Sequence, residues 1–263
     1  MRYAPEDVTV VVCAYQECEF LEECILSIKD QTVPVKFLIS TSTPIPFILN
    51  IAEKYGLEVR VNDNPGHAND YNFALDQVGT KLGIMAHQDD RMASNFVEQS
   101  IACLNHTKEP LLAFTNYAEL HINEIVKNNK MLRVKRLLLI PARIPLFQNT
   151  VFKKRLLLRF GNSICHPTVT YVMDKLPIVR FQQRYKSNLD WDVWERMSRE
   201  KGEFCYCSEV VFYHRMHKGQ ATAVLIEGGN ARYNEDFEML CRFWPKWFVK
   251  VLMKFYVKGA SFY

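Results

Sequence analysis

Acidic side chains are missing from the whole stretch between Ile125 and Met173, although ten Lys or Arg residues fall between Lys127 and Arg159. That excess of one sign is local. The 263 residues together carry a net charge of +4, too little to imply a nucleic-acid partner. Long uncharged apolar runs are also missing, which excludes a membrane-spanning helix of ordinary length. Met1 to Asp7 is polar and acidic and lacks the apolar core of a signal peptide, so the expected location is the cytoplasm. Of the eight cysteines only Cys205 and Cys207 are close together, at a spacing that makes no zinc knuckle. They read as buried thiols in a reducing compartment. No internal repeat and no low-complexity linker divides the chain.

What is present in the first half alternates between strand and helix signals. Val8 to Cys13 is rich in β-branched residues and fits a strand buried on both faces. Leu21, Cys24, Ile25 and Ile28 then recur at helical spacing, with Glu19, Glu22 and Glu23 near the helix start. Strands are expected over 35–40, 58–61 and 82–86. Helices are expected over 47–55, stopped by Gly56, over 69–78, and over 95–104. This order predicts an α/β fold with a mostly parallel central sheet flanked by helices, its ligand crevice at the carboxyl ends of the strands. Further on, a helix is expected over 190–199 and a strand over 203–213. The division predicted is residues 1–110 for a first half, 111–225 for a second half, and 226–263 for a helical tail, all parts of one unit.

Asp89 and Asp90 follow the apolar run Leu82 to Ala86, so they sit where a strand runs out at the ligand edge. Hard carboxylate oxygens there suit magnesium or manganese. An isolated Asp-Asp pair is otherwise a solvated turn. Asp190 opens a helix, where aspartate is also a common cap. Beside it, Trp191 and Trp194 are candidates for an aromatic stacking wall.

Several segments in fixed order resemble the family 2 glycosyltransferases of the GT-A fold. They are Val10-Val11-Val12-Cys13-Ala14-Tyr15-Gln16-Glu17, Gly66-His67-Ala68-Asn69-Asp70-Tyr71-Asn72, His87-Gln88-Asp89-Asp90, Leu189-Asp190-Trp191-Asp192-Val193-Trp194 and Tyr213-His214-Arg215-Met216-His217. The resemblance implies an inverting transfer of a sugar from a nucleotide diphosphate donor, UDP-linked by preference, to an acceptor hydroxyl. Ala14, Tyr15 and Glu17 would line the base and ribose, with Ser40 and Asn72 as further donor contacts. Asp89, Asp90 and His217 would serve a divalent manganese or magnesium ion, Arg215 would assist at the diphosphate, and Asp190 would be the catalytic base. His217 could equally be a surface-loop histidine. A His-Pro-Thr piece, His166 to Thr168, would lie on the acceptor side. The chain departs from the family pattern at three places. His87 replaces the first Asp of the metal signature, Leu189 replaces the acid before the base, and Ser40 to Thr43 stands where an Asp usually reads the nucleotide base. Asp70 is the candidate to take over that last role.

The tail carries Lys246, Lys250, Lys254 and Lys258 at intervals of four, with Trp247, Phe248, Val251, Leu252, Phe255 and Tyr256 between them. That pattern fits a helix lying in a membrane interface, and equally a terminal helix packed on the domain with its lysines in water. A growing glycan on a lipid carrier, as in bacterial surface polysaccharide assembly, is the acceptor the resemblance implies, handled at the inner face of the membrane. Two other functions stay open. A sugar nucleotidyltransferase would want a glycine-rich, basic phosphate loop, which Ala14 to Glu17 lacks. A non-catalytic glycan- or lipid-binding module would have no need of Asp89 and Asp190.

Overall fold

The structure is a computed structural model describing residues 2–122, 124–144, 149–178, 180–217 and 230–260. Strand β1 (Val8–Ala14) lies at the centre of the first half because its alternate residues serve two cores. Val10 and Val12 pack with helices α1 (Leu21–Lys29), α2 (Pro46–Tyr55) and α4 (Phe96–Asn105). Val11 packs on the opposite face, with α3 (His67–Asp76), α7 (Val151–Leu158) and α8 (Leu189–Met197). A strand covered on both sides has no polar face to show, which is why this run is continuously apolar.

One sheet passes through the molecule. Its order is β3-β2-β1-β4-β8-β6-β9-β5, with β7 added on β6. β2 (Lys36–Thr41), β3 (Val59–Val61) and β4 (Leu82–His87) join β1 in parallel. β8 (Val169–Val172) then runs antiparallel to both β4 and β6 (Pro110–Leu120). The long β6 pairs in parallel with β9 (Glu203–Arg215), and β5 (Arg91–Met92) closes the edge of β9 in antiparallel sense. β7 (Ile125–Val126) pairs with the end of β6. The sheet therefore contains strands from both predicted halves.

Helix α2 ends at Gly56, which takes φ 63° and donates back to Ala52 and Glu53, as the sequence pattern predicts. Gly202 holds φ 123° at the start of β9, where an added Cβ would meet the Glu109 carbonyl at 2.7 Å. A side chain there would push β9 away from β6. Helices α5 (Lys130–Leu138) and α6 (Ile140–Arg143) bridge from β7 towards α7. Helices α9 (Asn230–Cys241) and α10 (Lys246–Ala260) close the chain.

In α10, Val249 and Met253 are buried, whereas Trp247 is 70% exposed. Lys246, Lys250 and Lys254 face solvent. The tail is thus packed along one side and open along the other. The side chains of Phe255, Tyr256 and Lys258 lie outside the described residues. Among the described residues no helix is long and apolar enough to cross a membrane. All eight cysteines are free thiols, with Cys205 and Cys207 buried.

Candidate active site

The site forms where β1, β2 and β4 end together and the end of β9 reaches across to them. The turn after His87 delivers Asp89 and Asp90, and the β9 end brings His214 and Arg215. Asp90 is buried. Its Oδ1 accepts the Arg215 backbone N–H at 2.8 Å and pairs with His214 Nδ1 at 3.0 Å. Burial alone would lower the pKa of His214; the adjacent Asp90 carboxylate outweighs it and raises the group instead. Asp89 Oδ2 meets His217 Nε2 at 2.9 Å. Burial would raise the Asp89 carboxyl, but the His217 contact and the nearby His87 and His214 hold it below the ordinary value.

One oxygen in this cluster has no partner. Asp90 Oδ2 is fully buried and receives no hydrogen bond, which is costly for a carboxylate. His87, Asp89 and Asp90 place one ligand atom each within 4.8 Å of one another. The cluster thus couples the two predicted aspartates with His87, while His217 stands behind Asp89. Arg215 is a brace. Its Nε donates to the Asp89 carbonyl at 2.7 Å, another guanidinium nitrogen pairs with Glu23, and the guanidinium lies 4.1 Å from the centre of the Phe20 ring. The sequence reading missed Glu23 and Phe20 as supports, since both precede Arg215 by almost 200 residues.

The β1 end is held by the signature's own glutamine. Gln88 Oε1 accepts the Tyr15 N–H at 3.0 Å and Gln88 Nε2 donates to the Tyr15 carbonyl at 2.8 Å. Gln16 follows at φ 54° with its N–H on Thr43 Oγ1, 2.7 Å away. The clamp leaves the Tyr15 ring 52% exposed at the rim, with Glu17 exposed beside it and Ala14 buried below. Ser40 is buried in β2, opposite Cys13.

Asp70 and Asn72 point to tasks nearby. Asp70 accepts from Asn62 Nδ2 at 2.7 Å and from the Gly66 N–H at 3.3 Å, fixing the loop before α3. Asn72 makes two 2.9 Å bonds to the backbone of Phe181. A cavity of about 380 Å³ opens beside this loop, lined by Gly66, His67, Asn69, Gln183, Tyr185 and Lys186 among others.

Between the metal-type cluster and α8 stands a block of rings that sequence reasoning did not assemble. Tyr71 stacks on His87 at 5.6 Å, with His67, His166 and Phe181 around it at 4.6 to 5.1 Å. His166 Nε2 meets Tyr171 Oη at 2.9 Å. Burial pushes His166 well below its usual pKa, His87 below it, and His67 down to about 4. These imidazoles are therefore neutral at neutral pH.

Asp190 lies in the first turn of α8, but it is not the cap, which is Asn188. The backbone N–H groups of Lys186, Ser187 and Asn188 go to the Glu235 carboxylate instead. Asp190 Oδ2 accepts from Asn162 Nδ2 at 2.6 Å and Oδ1 from the Trp191 N–H at 2.8 Å. Burial raises its pKa above the ordinary value despite these two bonds. Trp191 and Trp194 do not form the expected stacking wall. Both are buried in the core, and the helix turns Trp194 inward against Tyr171 and His166. Asp192 is also committed, to Arg196 and Arg242 at 2.9 and 2.8 Å.

The sheet thus carries carboxylates at the end of β4 and a further carboxylate at the head of α8. The model of the Glycosyl transferase family 2 matches residues 9–159, more than half of the chain, and the chain belongs to that family. No curated protein sequence matches it. Its fold is shared by residues 1–349 of S. aureus TarS, with 15% identity, a TM-score of 0.63, and coverage of 94% of this chain and 69% of that one. The mannosyltransferase PcManGT of Pyrobaculum calidifontis, solved with GDP-Man and Mn2+, gives 14% identity and a TM-score of 0.64, covering 96% and 72%. Glucosyl-3-phosphoglycerate synthase of Mycobacterium tuberculosis, solved with Mg2+ and UDP, gives 14% and 0.55, covering 87% and 76%. Glycosyl transfer is therefore the class of reaction.

Proposed function

We propose that the chain moves a sugar, with inversion, from a UDP-linked donor to the hydroxyl of a lipid-linked or surface glycan acceptor, using a divalent manganese or magnesium ion. The observation that carries this reading is the buried, unpartnered Asp90 Oδ2 beside Asp89 and His87. A hard cation would satisfy that oxygen, and two carboxylates with one neutral imidazole suit manganese or magnesium. A bound divalent ion offsets the negative charge that gathers on the departing diphosphate. Crystallised neighbours that bind UDP, UDP-GlcNAc or GDP-Man support a nucleotide-sugar donor here.

The residues divide the work as follows. Tyr15, braced by Gln88, offers its exposed ring to the nucleotide base, with Ala14, Glu17 and Ser40 around it. Asp70 and Asn72 hold the α3 side of the donor cleft in place. Arg215 keeps the Asp89 backbone in register with Asp90. Asp190, buried and raised in pKa, takes the proton of the attacking hydroxyl. The exposed Trp247 and its lysines in α10 give the tail a peripheral contact with the inner membrane face.

Calorimetric titration with UDP and manganese tests the metal assignment. Affinity should fall on the order of ten-fold or more with chelator and in Asp89→Ala, because the diphosphate loses its counter-charge. Unchanged UDP affinity in chelator would rule out the metal.

A further inference from the structure

We infer that the outward face of α5 and α6 is a docking surface for an anionic lipid bilayer. These helices bury Leu132 and Leu139 and also carry a second apolar stripe on the outward side. A surface helix normally turns its apolar stripe to the core. Here Val134 and Leu137 in α5, Ile140 at the start of α6 and Ile144 just after it are 47, 63, 45 and 43% exposed. Two cationic residues of α5 turn inward. Lys135 Nζ donates to Tyr117 Oη at 2.7 Å, and Arg136 reaches Asn116 Oδ1 at 3.3 Å and the Tyr117 carbonyl at 3.2 Å. In α5, Leu132 is the residue that is fully buried.

Charge complementarity selects the occupant. Lys130, Arg133 and Arg143 are exposed around the stripe, and no acid occurs from residue 125 to 173. Protein partners favour surfaces depleted in lysine. Aliphatic side chains ringed by Lys and Arg match acyl chains below and phosphate headgroups above.

The position has a consequence for the site. Lys135, on the inner side of α5, is near enough to Asp190 and His214 to act on both electrostatically. Docking the outer side of the same helix on a bilayer brings the proposed base close to the headgroup plane. There the hydroxyl of a lipid-linked acceptor is presented. This significance rests on the function proposed above, whereas the binding itself does not.

The test is flotation of the full chain with phosphatidylcholine vesicles, with and without phosphatidylglycerol. The wild type should float with the anionic vesicles and be released by high salt. Leu137→Glu with Ile140→Glu should lower the bound fraction on the order of ten-fold or more. Leu137→Gln with Ile140→Gln should lower it less and serves as the gentler variant. Both should keep the wild-type melting temperature and UDP affinity, since the positions are on the surface. Trp247→Glu, tested alone, separates the contribution of α10. Absent wild-type flotation, or equal flotation of wild type and both α5–α6 variants, overturns the proposal. So does conversion of a dimer to a monomer by these variants with vesicle binding intact, which would assign the face to a second copy. A failure of UDP binding or sugar transfer leaves the flotation result standing and strikes only the enzymatic reading.

Discussion

Asp190 combines two properties that pull in opposite directions, and together they make it testable. Its burial raises the pKa, so the ionised form is disfavoured in the native state, while Asn162 and the Trp191 N–H hold the carboxylate in one orientation. A base of this kind is stronger than a solvated aspartate and fixed in direction. Asp190→Asn should lower turnover on the order of 100-fold or more and leave UDP–manganese affinity nearly unchanged. The pH profile follows from the direction of the shift. Asp190 is protonated and idle below its folded pKa, so turnover should rise with pH through a value above the ordinary aspartate pKa of about 4. The stability sign is opposite. Between the unfolded and the raised folded pKa the native state binds more protons, so stability declines as pH rises through that window. Asp190→Asn should therefore be at least as stable as wild type at neutral pH. Near-normal transfer by this variant, with the acid limb retained, would remove Asp190 from the mechanism.

Helix α8 carries Asp190 on a foundation of buried charge. Glu195, one turn further on and fully buried, accepts from Arg155 at 2.5 Å and Arg199 at 2.7 Å, and pairs with Arg242 at 3.2 Å. Burial would raise the Glu195 carboxyl, but the hydrogen bonds from Arg199 and Arg155 outweigh it and keep it low. These arginines come from α7, from the turn after α8 and from the turn after α9, so one carboxylate ties three segments to the helix that holds the proposed base. Removing one member of such a set leaves buried charge without compensation. Glu195→Ala should cost about 3–5 kcal/mol by urea denaturation, whereas Arg199→Ala, on the half-exposed partner, should cost less than about 1 kcal/mol. Glu195 has a depressed folded pKa, so its contribution is present above the unfolded glutamate value and is lost as pH falls through the folded one. The stability gap between wild type and Glu195→Ala should close in acid. A gap that stays constant with pH would show that packing, not charge, is what Glu195 supplies.

At the scale of the whole molecule, the first half could be read residue by residue because its signals are local. A β-branched run gave β1, helical spacing gave α1 and α4, and Gly56 marked the end of α2. The aspartates at the end of β4 were found the same way. β6 escaped such reading: its eleven residues are all buried, including Thr115, Asn116 and Glu119, so no alternation betrays it. Two of its polar members are satisfied from other elements, Asn116 by the Ser208 carbonyl and Glu119 by Asn129. The ring block of Tyr71, His87, His166 and Phe181 was hidden for the same reason, being assembled from four separated segments. The long-range pairing that conceals β6 also joins the two halves, since β4, β8, β6 and β9 form one continuous ladder. The chain should accordingly unfold in a single calorimetric transition even though its proposed donor contacts lie mainly before residue 110. UDP with manganese at about 100 times its Kd stabilises the native state by about 2.7 kcal/mol. At about 2–4 °C per kcal/mol for a domain of this size, the whole transition should move up by about 5–10 °C, and chelator should cancel most of the shift. Two transitions, with only the lower or the upper responding to UDP, would mean that the halves fold apart and that β6 and β9 do not couple them to the donor site.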